Sequence, residues 1–285
     1  MAIKKVKITT DSTVDFTPEI VEKYDITVMP LYIVTDEGEY RDTLDITPDD
    51  VYAYYDKSGK TATSSACNMD AYSQKFKELT DEGYAVVHIG LSSELSSSFN
   101  NARMAAMDFE DVYVVDSLNL STGIGLLVLK AAEMAQEGME AKEIAEKVSS
   151  IVPNVDVSFI LDTLDYLHAG GRCSAVAKFG ANLLKLKPSI AVKEGKMGVD
   201  KKYRGNIVDR RVDYIKDSLH TPENIDKTRA FVTHSGGLSD AEIENLVKVA
   251  KEVGGFDEVL VTRAGCVISA HCGPGCMGIL FIREK

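Results

Sequence analysis

The chain of 285 residues is 45% hydrophobic, enough to bury a full core, and its length lies between one large α/β domain and two medium ones; two are expected. A net charge of −12 leaves no basic field for phosphate backbones, so nucleic acid and anionic membrane surfaces are not expected partners. Five cysteines, an odd count with no export signal, point to reduced thiols and a cytoplasmic protein.

The opening run M-A-I-K-K-V-K-I-T-T has basic residues leading straight into a short β-like stretch, without the apolar segment of a signal peptide. Strand-length apolar runs follow at Val6 to Thr9, Ile26 to Val34, Ala85 to Leu91 and Val112 to Val115. Helical patterns lie between them at Pro18 to Lys23, Pro48 to Asp56, Asp70 to Thr80, Ser93 to Met107 and Thr122 to Glu137, with another at Ala141 to Ser150. Strand then helix, repeated, predicts a parallel sheet covered on both faces, with ligands at the carboxyl ends of its strands. The most apolar helix, Ile124 to Ala132, contains Lys130 and is too short to cross a bilayer, so no transmembrane segment is expected.

Pro153 and Asn154 mark a turn, and the domain boundary is placed there: residues 1–155 form an N-terminal parallel α/β domain and 156–285 a smaller α/β domain with a mixed sheet, the ligand lying between them. The second half reads as a strand at Ser158 to Asp162, a helix at Ala175 to Leu186 and a hairpin around Glu194-Gly195. A helix (Ile207 to Leu219), a strand (Arg229 to Thr233), a helix (Asp240 to Val253) and strands at Val259 to Arg263 and Met277 to Ile282 complete it.

Three strand-to-helix loops are rich in small hydroxyls: Thr9 to Thr13, Thr61 to Ser65 and Leu91 to Phe99. Each alone reads as helix capping, but the third carries five serines within seven residues, more than one cap requires. Hydroxyls beside free amides at a helix start suit a small anion such as a carboxylate or phosphate. Neither a P-loop nor a dinucleotide fingerprint follows these strands. In the second half, His168-Ala-Gly-Gly-Arg172 reads as a tight turn presenting a guanidinium, and Ala270-His-Cys-Gly-Pro-Gly275 as a turn before the last strand that holds His271 at the sheet's lip. Cys266, Cys272 and Cys276 cluster around His271, but a tetrahedral zinc site is not expected from four candidate ligands on one turn.

The ordered set D-S-T-V-D-F, A-T-S-S, L-S-S-E-L-S-S-S-F-N-N-A, V-V-D-S, L-D-T-L-D-Y-L-H-A-G-G-R, L-K-P-S-I-A-V-K-E-G-K, Y-R-G and A-H-C-G-P-G resembles the DegV family of bacterial fatty-acid-binding proteins along the whole chain. The resemblance implies a two-domain, Rossmann-like protein that buries a long-chain fatty acid between its lobes with the carboxylate at the mouth. It implies a carrier, not an enzyme, without cofactor or metal, whose partner is a separate ATP-dependent fatty-acid kinase making acyl-phosphate for phospholipid synthesis. Carried over by motif, the family's head-group threonine falls on Thr63 with Ser64 beside it, its serine on Ser92 or Ser93 and its histidine on His271; Arg172 and Arg204 match arginines near the mouth. The chain departs from the family pattern at Ala66 and Cys67, at Ser96 to Phe99 and at Cys272. Burial of acyl methylenes at about 0.8 kcal/mol each gives on the order of 10 kcal/mol before association costs, so the tail would supply affinity and the polar rim orientation. Two other classes stay open: an enzyme acting on acyl or phosphate esters with a Ser/His pair, and a zinc-dependent interaction module.

Overall fold

The computed structural model describes residues 4–173 and 186–284. Two sheets form its frame. The N-terminal sheet is parallel throughout, in the order β2-β1-β6-β7, built from β1 (Val6–Asp11), β2 (Thr27–Met29), β6 (Ala85–Gly90) and β7 (Val112–Asp116). Its linking helices are α1 (Pro18–Lys23), α2 (Pro48–Ser58), α3 (Met69–Asp81), α4 (Ser98–Ala106), α5 (Thr122–Gln136) and α6 (Ala141–Ile151). Parallel strands need such crossovers, and their burial on both faces explains the unbroken apolar run of β6, buried at every residue.

The second sheet is mixed, in the order β10-β9-β8-β13-β11-β12. Its strands are β8 (Val155–Ile160), β9 (Leu186–Lys193), β10 (Lys196–Arg204), β11 (Ile225–His234), β12 (Glu258–Arg263) and β13 (Met277–Arg283). Only β11 and β12 run parallel. The hairpin joining β9 to β10 turns at Glu194 (φ 49°) and Gly195 (φ 79°), two successive left-handed residues that match strand twist. The remaining helices are α7 (Asp165–Gly170), α8 (Ile207–Ser218), α9 (Asp240–Gly254) and α10 (Cys266–Cys272). The fold is thus α/β, a four-stranded parallel sheet beside a six-stranded mixed one.

Helix α5 lies between the sheets, touching β1 and β6 on one side and β8, β11 and β13 on the other. A helix in that position must be apolar all round, and ten of its residues are buried. At Gly123 a methyl group would sit 2.4 Å from Val157 Cγ2, so glycine there sets how closely α5 meets the second sheet. One continuous hydrophobic cluster runs from Ile8 to Ile282 across both sheets, and a second one packs α8 and α9 against the outer face of the mixed sheet.

Several elements differ from expectation. The run Ile26 to Val34 is divided at Pro30, which cannot donate to a ladder, into β2 and a separate strand β3 (Tyr32–Thr35). β3 forms the centre of a small antiparallel sheet with β4 (Gly38–Arg41) and β5 (Thr63–Ser65), both too short and polar to show strand periodicity. Helix α4 starts at Ser98, not Ser93, because the preceding serines close local turns: Ser96 N–H donates to Ser92 O and Ser98 N–H to Ser96 Oγ. Strand β8 starts three residues early and stops at Ile160. Short helices α7 and α10 run into the places expected to be turns, at His168 to Arg172 and Ala270 to Gly275, so that His168 and His271 lie in helices; six and seven residues are too few to show periodicity. The helix expected at Ala175 to Leu186 lies outside the described residues except for Leu186, which opens β9.

Candidate functional site

Helix α10 is the centre of the site. Its N-terminal amides are held by carboxylates from the other half of the chain: Asp15 Oδ1 accepts Gly265 N–H at 2.7 Å and Asp42 Oδ1 accepts Cys266 N–H at 2.8 Å. At its far end Gly273 (φ 70°) breaks the helix, and a methyl group there would lie 2.5 Å from the Tyr166 ring. The following turn is tied down by Ser235, whose hydroxyl donates to Gly273 O, and by the buried Arg211, which donates to Gly275 O and pairs with Glu242. A seven-residue helix has little stability of its own, so these partners define its position.

His271 sits on the last turn of α10 with Nε2 2.8 Å from Ser64 Oγ, the middle residue of β5. Its Nδ1 is buried and has no hydrogen-bond partner among the described residues. The face of the ring at Nδ1 lies against Gly170, where a methyl group would stand 2.1 Å from that nitrogen. Burial, with the positive charge of Arg172 second, brings the imidazole down to about 4, so the ring is neutral at neutral pH. With its proton on Nε2 the ring donates to Ser64, leaving the serine hydroxyl free to donate to an anion.

The His271–Ser64 pair opens on a cleft whose enclosed volume is about 110 Å³. Its polar wall consists of Ser64, Ser65, Ser96, Ser97, Arg172 and His271. Its apolar wall includes Leu31, Leu91, Leu95, Leu167, Met197 and Val267. Leu120, Ile268 and Cys272 line both this cleft and a second cavity of about 30 Å³. The second cavity reaches the inner face of the mixed sheet, against Val157, Phe159, Cys276 and Leu280. A partly polar mouth therefore adjoins an apolar cavity across shared wall residues, an arrangement with the polarity order of an amphiphile with an anionic head.

The expected residues fall into two groups. Ser64, Arg172 and His271 meet at the cleft. Thr63 is exposed, with its hydroxyl 3.4 Å from Val34 O, and does not line the cleft. Ser92 is buried and donates to Gly195 O at 3.0 Å, which ties the serine loop to the β9–β10 hairpin. Ser93 is anchored through its amide to Asp116 Oδ1 at 3.2 Å. Arg204 ends β10 in an exposed position away from the cleft wall. Sequence reasoning passed over Ser65, Ser96 and Ser97, although the density of serines in the third loop was the signal for the last two. Helix α5 is a core helix; the cavities are lined by Leu120 and Ser121 just ahead of it.

The cysteine cluster is buried. All five cysteines are buried and none is in a disulfide; burial pushes the Cys67 thiol up to about 11 and also raises that of Cys266, while contact with Cys272 and then burial raise that of Cys276. Among the described residues no group of three or more His, Cys, Asp or Glu side chains is placed to hold a metal ion. No helix among them is long and apolar enough to cross a membrane.

Over residues 5–284 the chain matches the family model described as an uncharacterised protein of the DegV family. It is 32% identical over 288 residues to a DegV domain-containing protein of Clostridium acetobutylicum, covering 99% of this chain and 100% of that one. A solved DegV family protein from Thermus thermophilus, described as fatty-acid binding, superposes with a TM-score of 0.89 at 28% identity, covering 98% of this chain and 99% of that one. A stearic-acid-binding protein from Eubacterium ventriosum superposes with a TM-score of 0.85 at 27% identity, covering 98% of each chain.

Proposed function

This chain belongs to the DegV family, and from that premise we propose that it is a carrier of long-chain fatty acids. In this reading the lobes 1–155 and 156–285 close on the ligand, with the carboxylate at the Ser64–His271 pair and the tail running past Leu120, Ile268 and Cys272. The observation that carries it is a polar mouth and an apolar cavity that share the wall residues Leu120, Ile268 and Cys272. Ser64 donates its hydroxyl proton to the carboxylate, Ser96 and Ser97 offer further hydroxyls, and the exposed guanidinium of Arg172 supplies the countercharge. Ser92 and Ser93 hold the serine loop in place, and Thr63 and Arg204 face the outside, where a partner would meet the loaded mouth.

We propose further that this partner is a separate fatty-acid kinase acting in the cytoplasm and supplying acyl-phosphate for phospholipid synthesis. What supports this is the family resemblance together with five cysteines outside any disulfide, which suit a reducing compartment. The carrier needs no cofactor and no catalytic base of its own.

The 2.8 Å contact of Ser64 with His271 also has the form of a nucleophile–base pair, the basis of the alternative that the protein cleaves acyl or phosphate esters. Two features favour the carrier. A general base is oriented by a third group on its other nitrogen, and Nδ1 has no such partner among the described residues. An imidazole held at about 4 is also a weak acceptor for a serine proton at neutral pH. Organic extraction of purified protein followed by mass spectrometry tests the proposal: about one fatty acid per chain is expected. Folded protein that neither carries nor takes up a fatty acid, or that turns over acyl esters through His271, would refute it.

A further inference from the structure

Three buried carboxylates, Asp11, Asp15 and Asp42, lie away from the cleft wall and have no part in contacting a ligand there. Burial this complete is unusual for aspartate and requires partners. Asp11 has local ones: it accepts Thr13 N–H at 3.0 Å and Leu91 N–H at 2.7 Å, both within the N-terminal lobe. Asp15 and Asp42 differ in kind, because each spends one oxygen inside the N-terminal lobe and the other on α10. Ser121 donates its hydroxyl to Asp15 Oδ2, and Ser12 donates its own to Asp42 Oδ2 at 2.7 Å. The opposite oxygens take the amides of Gly265 and Cys266, the N-cap and first residue of the helix that carries His271.

These anchors stand on fixed ground. Ser12 also accepts Leu31 N–H at 3.0 Å, and Leu31 lines the cleft. Ser121 is held at φ 54°, a left-handed conformation costly for serine, and lines the inner cavity. Gly265 is packed in the gap: a methyl group there would be 3.3 Å from both Asp15 Oδ1 and Asp42 Oδ1. Asp42 is thus linked through Ser12 to the wall of the mouth, Asp15 contacts the wall of the inner cavity at Ser121, and both hold the start of the His271 helix.

We infer that Asp15 and Asp42 are positioning residues for the head-group site, fixing from one lobe the register of α10 and hence the seat of His271 on Ser64. Four residues lie between Cys266 and His271, little more than one helical turn, so a shift of the first amide is carried along the helix to the imidazole. The inference rests on the carrier reading for its consequence in ligand retention, but its structural content, control of His271 by Asp42, needs no ligand.

A double-mutant cycle tests it. Asp42→Ala is made alone and with His271→Ala, and the off-rate of palmitic acid is measured together with imidazole ¹⁵N and ¹³C shifts of the ligand-free protein. The expected result is an off-rate raised about tenfold by Asp42→Ala in the parent but less than about twofold in the His271→Ala background, since the cost passes through the imidazole. The His271 shifts move, and Asp42→Asn, which keeps an acceptor oxygen for Cys266 N–H, restores both. Equal effects in the two backgrounds with unmoved His271 resonances would overturn the inference. If Asp42→Ala does not fold, Asp42→Glu, which displaces the acceptor by one methylene, is read by the same two criteria. A parent protein that retains no palmitic acid sinks the carrier reading, and the His271 shifts alone then decide the positioning claim.

Discussion

Adding one methyl group at Gly170 probes the head-group site from behind. Gly170 closes α7 in a conformation that alanine can adopt, and in an otherwise neutral setting alanine would favour the helix by up to about 1 kcal/mol. The new Cβ, however, would stand 2.1 Å from His271 Nδ1 and 3.0 Å from Cε1, against ordinary contacts of about 3.5 to 4 Å. The imidazole must therefore retreat by more than an ångström, and the 2.8 Å hydrogen bond to Ser64 cannot survive such a movement. Overpacking costs about 1 to 3 kcal/mol, partly offset by helix propensity, so the net loss of stability is about 0 to 2 kcal/mol. Loss of a buried, aligned partner for the carboxylate costs a further 1 to 3 kcal/mol of binding, about 5- to 150-fold in affinity. Fluorescent fatty-acid displacement, alongside thermal melting, separates the two effects. Unchanged affinity and unchanged His271 shifts in folded Gly170→Ala protein would refute the placement of the carboxylate at His271.

Replacing Arg172 by glutamine removes the positive charge that helps to lower His271. The imidazole is then expected to titrate above about 4 yet still below the ordinary 6.5, since burial, the larger cause, remains; NMR titration reads this directly. Phenylalanine at Ile268, where the cleft meets the inner cavity, should discriminate by tail length: each excluded methylene costs about 0.8 kcal/mol, so the loss of about four weakens palmitate by about 3 kcal/mol and spares short acids. Calorimetry across a chain-length series would show a uniform loss if the tail lay elsewhere. His88, fully buried beside Tyr72 and Phe76 with Thr9 at 3.0 Å, is depressed by burial to about 3. The unfolded chain binds that proton below about 6.5 and the folded one only below about 3, so stability from this group holds above 6.5 and falls on the order of 4 kcal/mol as pH drops to 3. Urea unfolding of His88→Gln should lack this part of the acid slope, and parallel curves for variant and parent would contradict it.

Much of this architecture was legible because periodicity survives where an element is long and buried on a defined face. The strands β1, β6, β7, β12 and β13 and the helices α3, α5, α8 and α9 announce themselves that way. The site is built from what periodicity cannot report. Ser64 reaches His271 because the three-residue strand β5 joins a sheet whose other members are also short and largely polar. The helix bearing His271 is read as a turn because its stability lies in Asp15 and Asp42, more than two hundred positions away in sequence. Ser92 and Ser96 sit four residues apart in one serine-rich loop, yet one clips the hairpin and the other lines the cleft. Spacing alone cannot assign such roles once the helix start moves by five residues. The glycines of His168-Ala-Gly-Gly-Arg172 divide the same way: Gly171 (φ 67°) caps α7 as a turn requires, whereas Gly170 is small because His271 lies against it.

A crystal structure of the protein loaded with palmitic acid tests the central claim most directly. The carboxylate should lie within hydrogen-bond distance of Ser64 Oγ and beside His271, with the chain passing Leu120, Ile268 and Cys272 to end against the mixed sheet. An acid bound on the outer surface, or one whose tail stays at the mouth while the inner cavity remains closed, would contradict it.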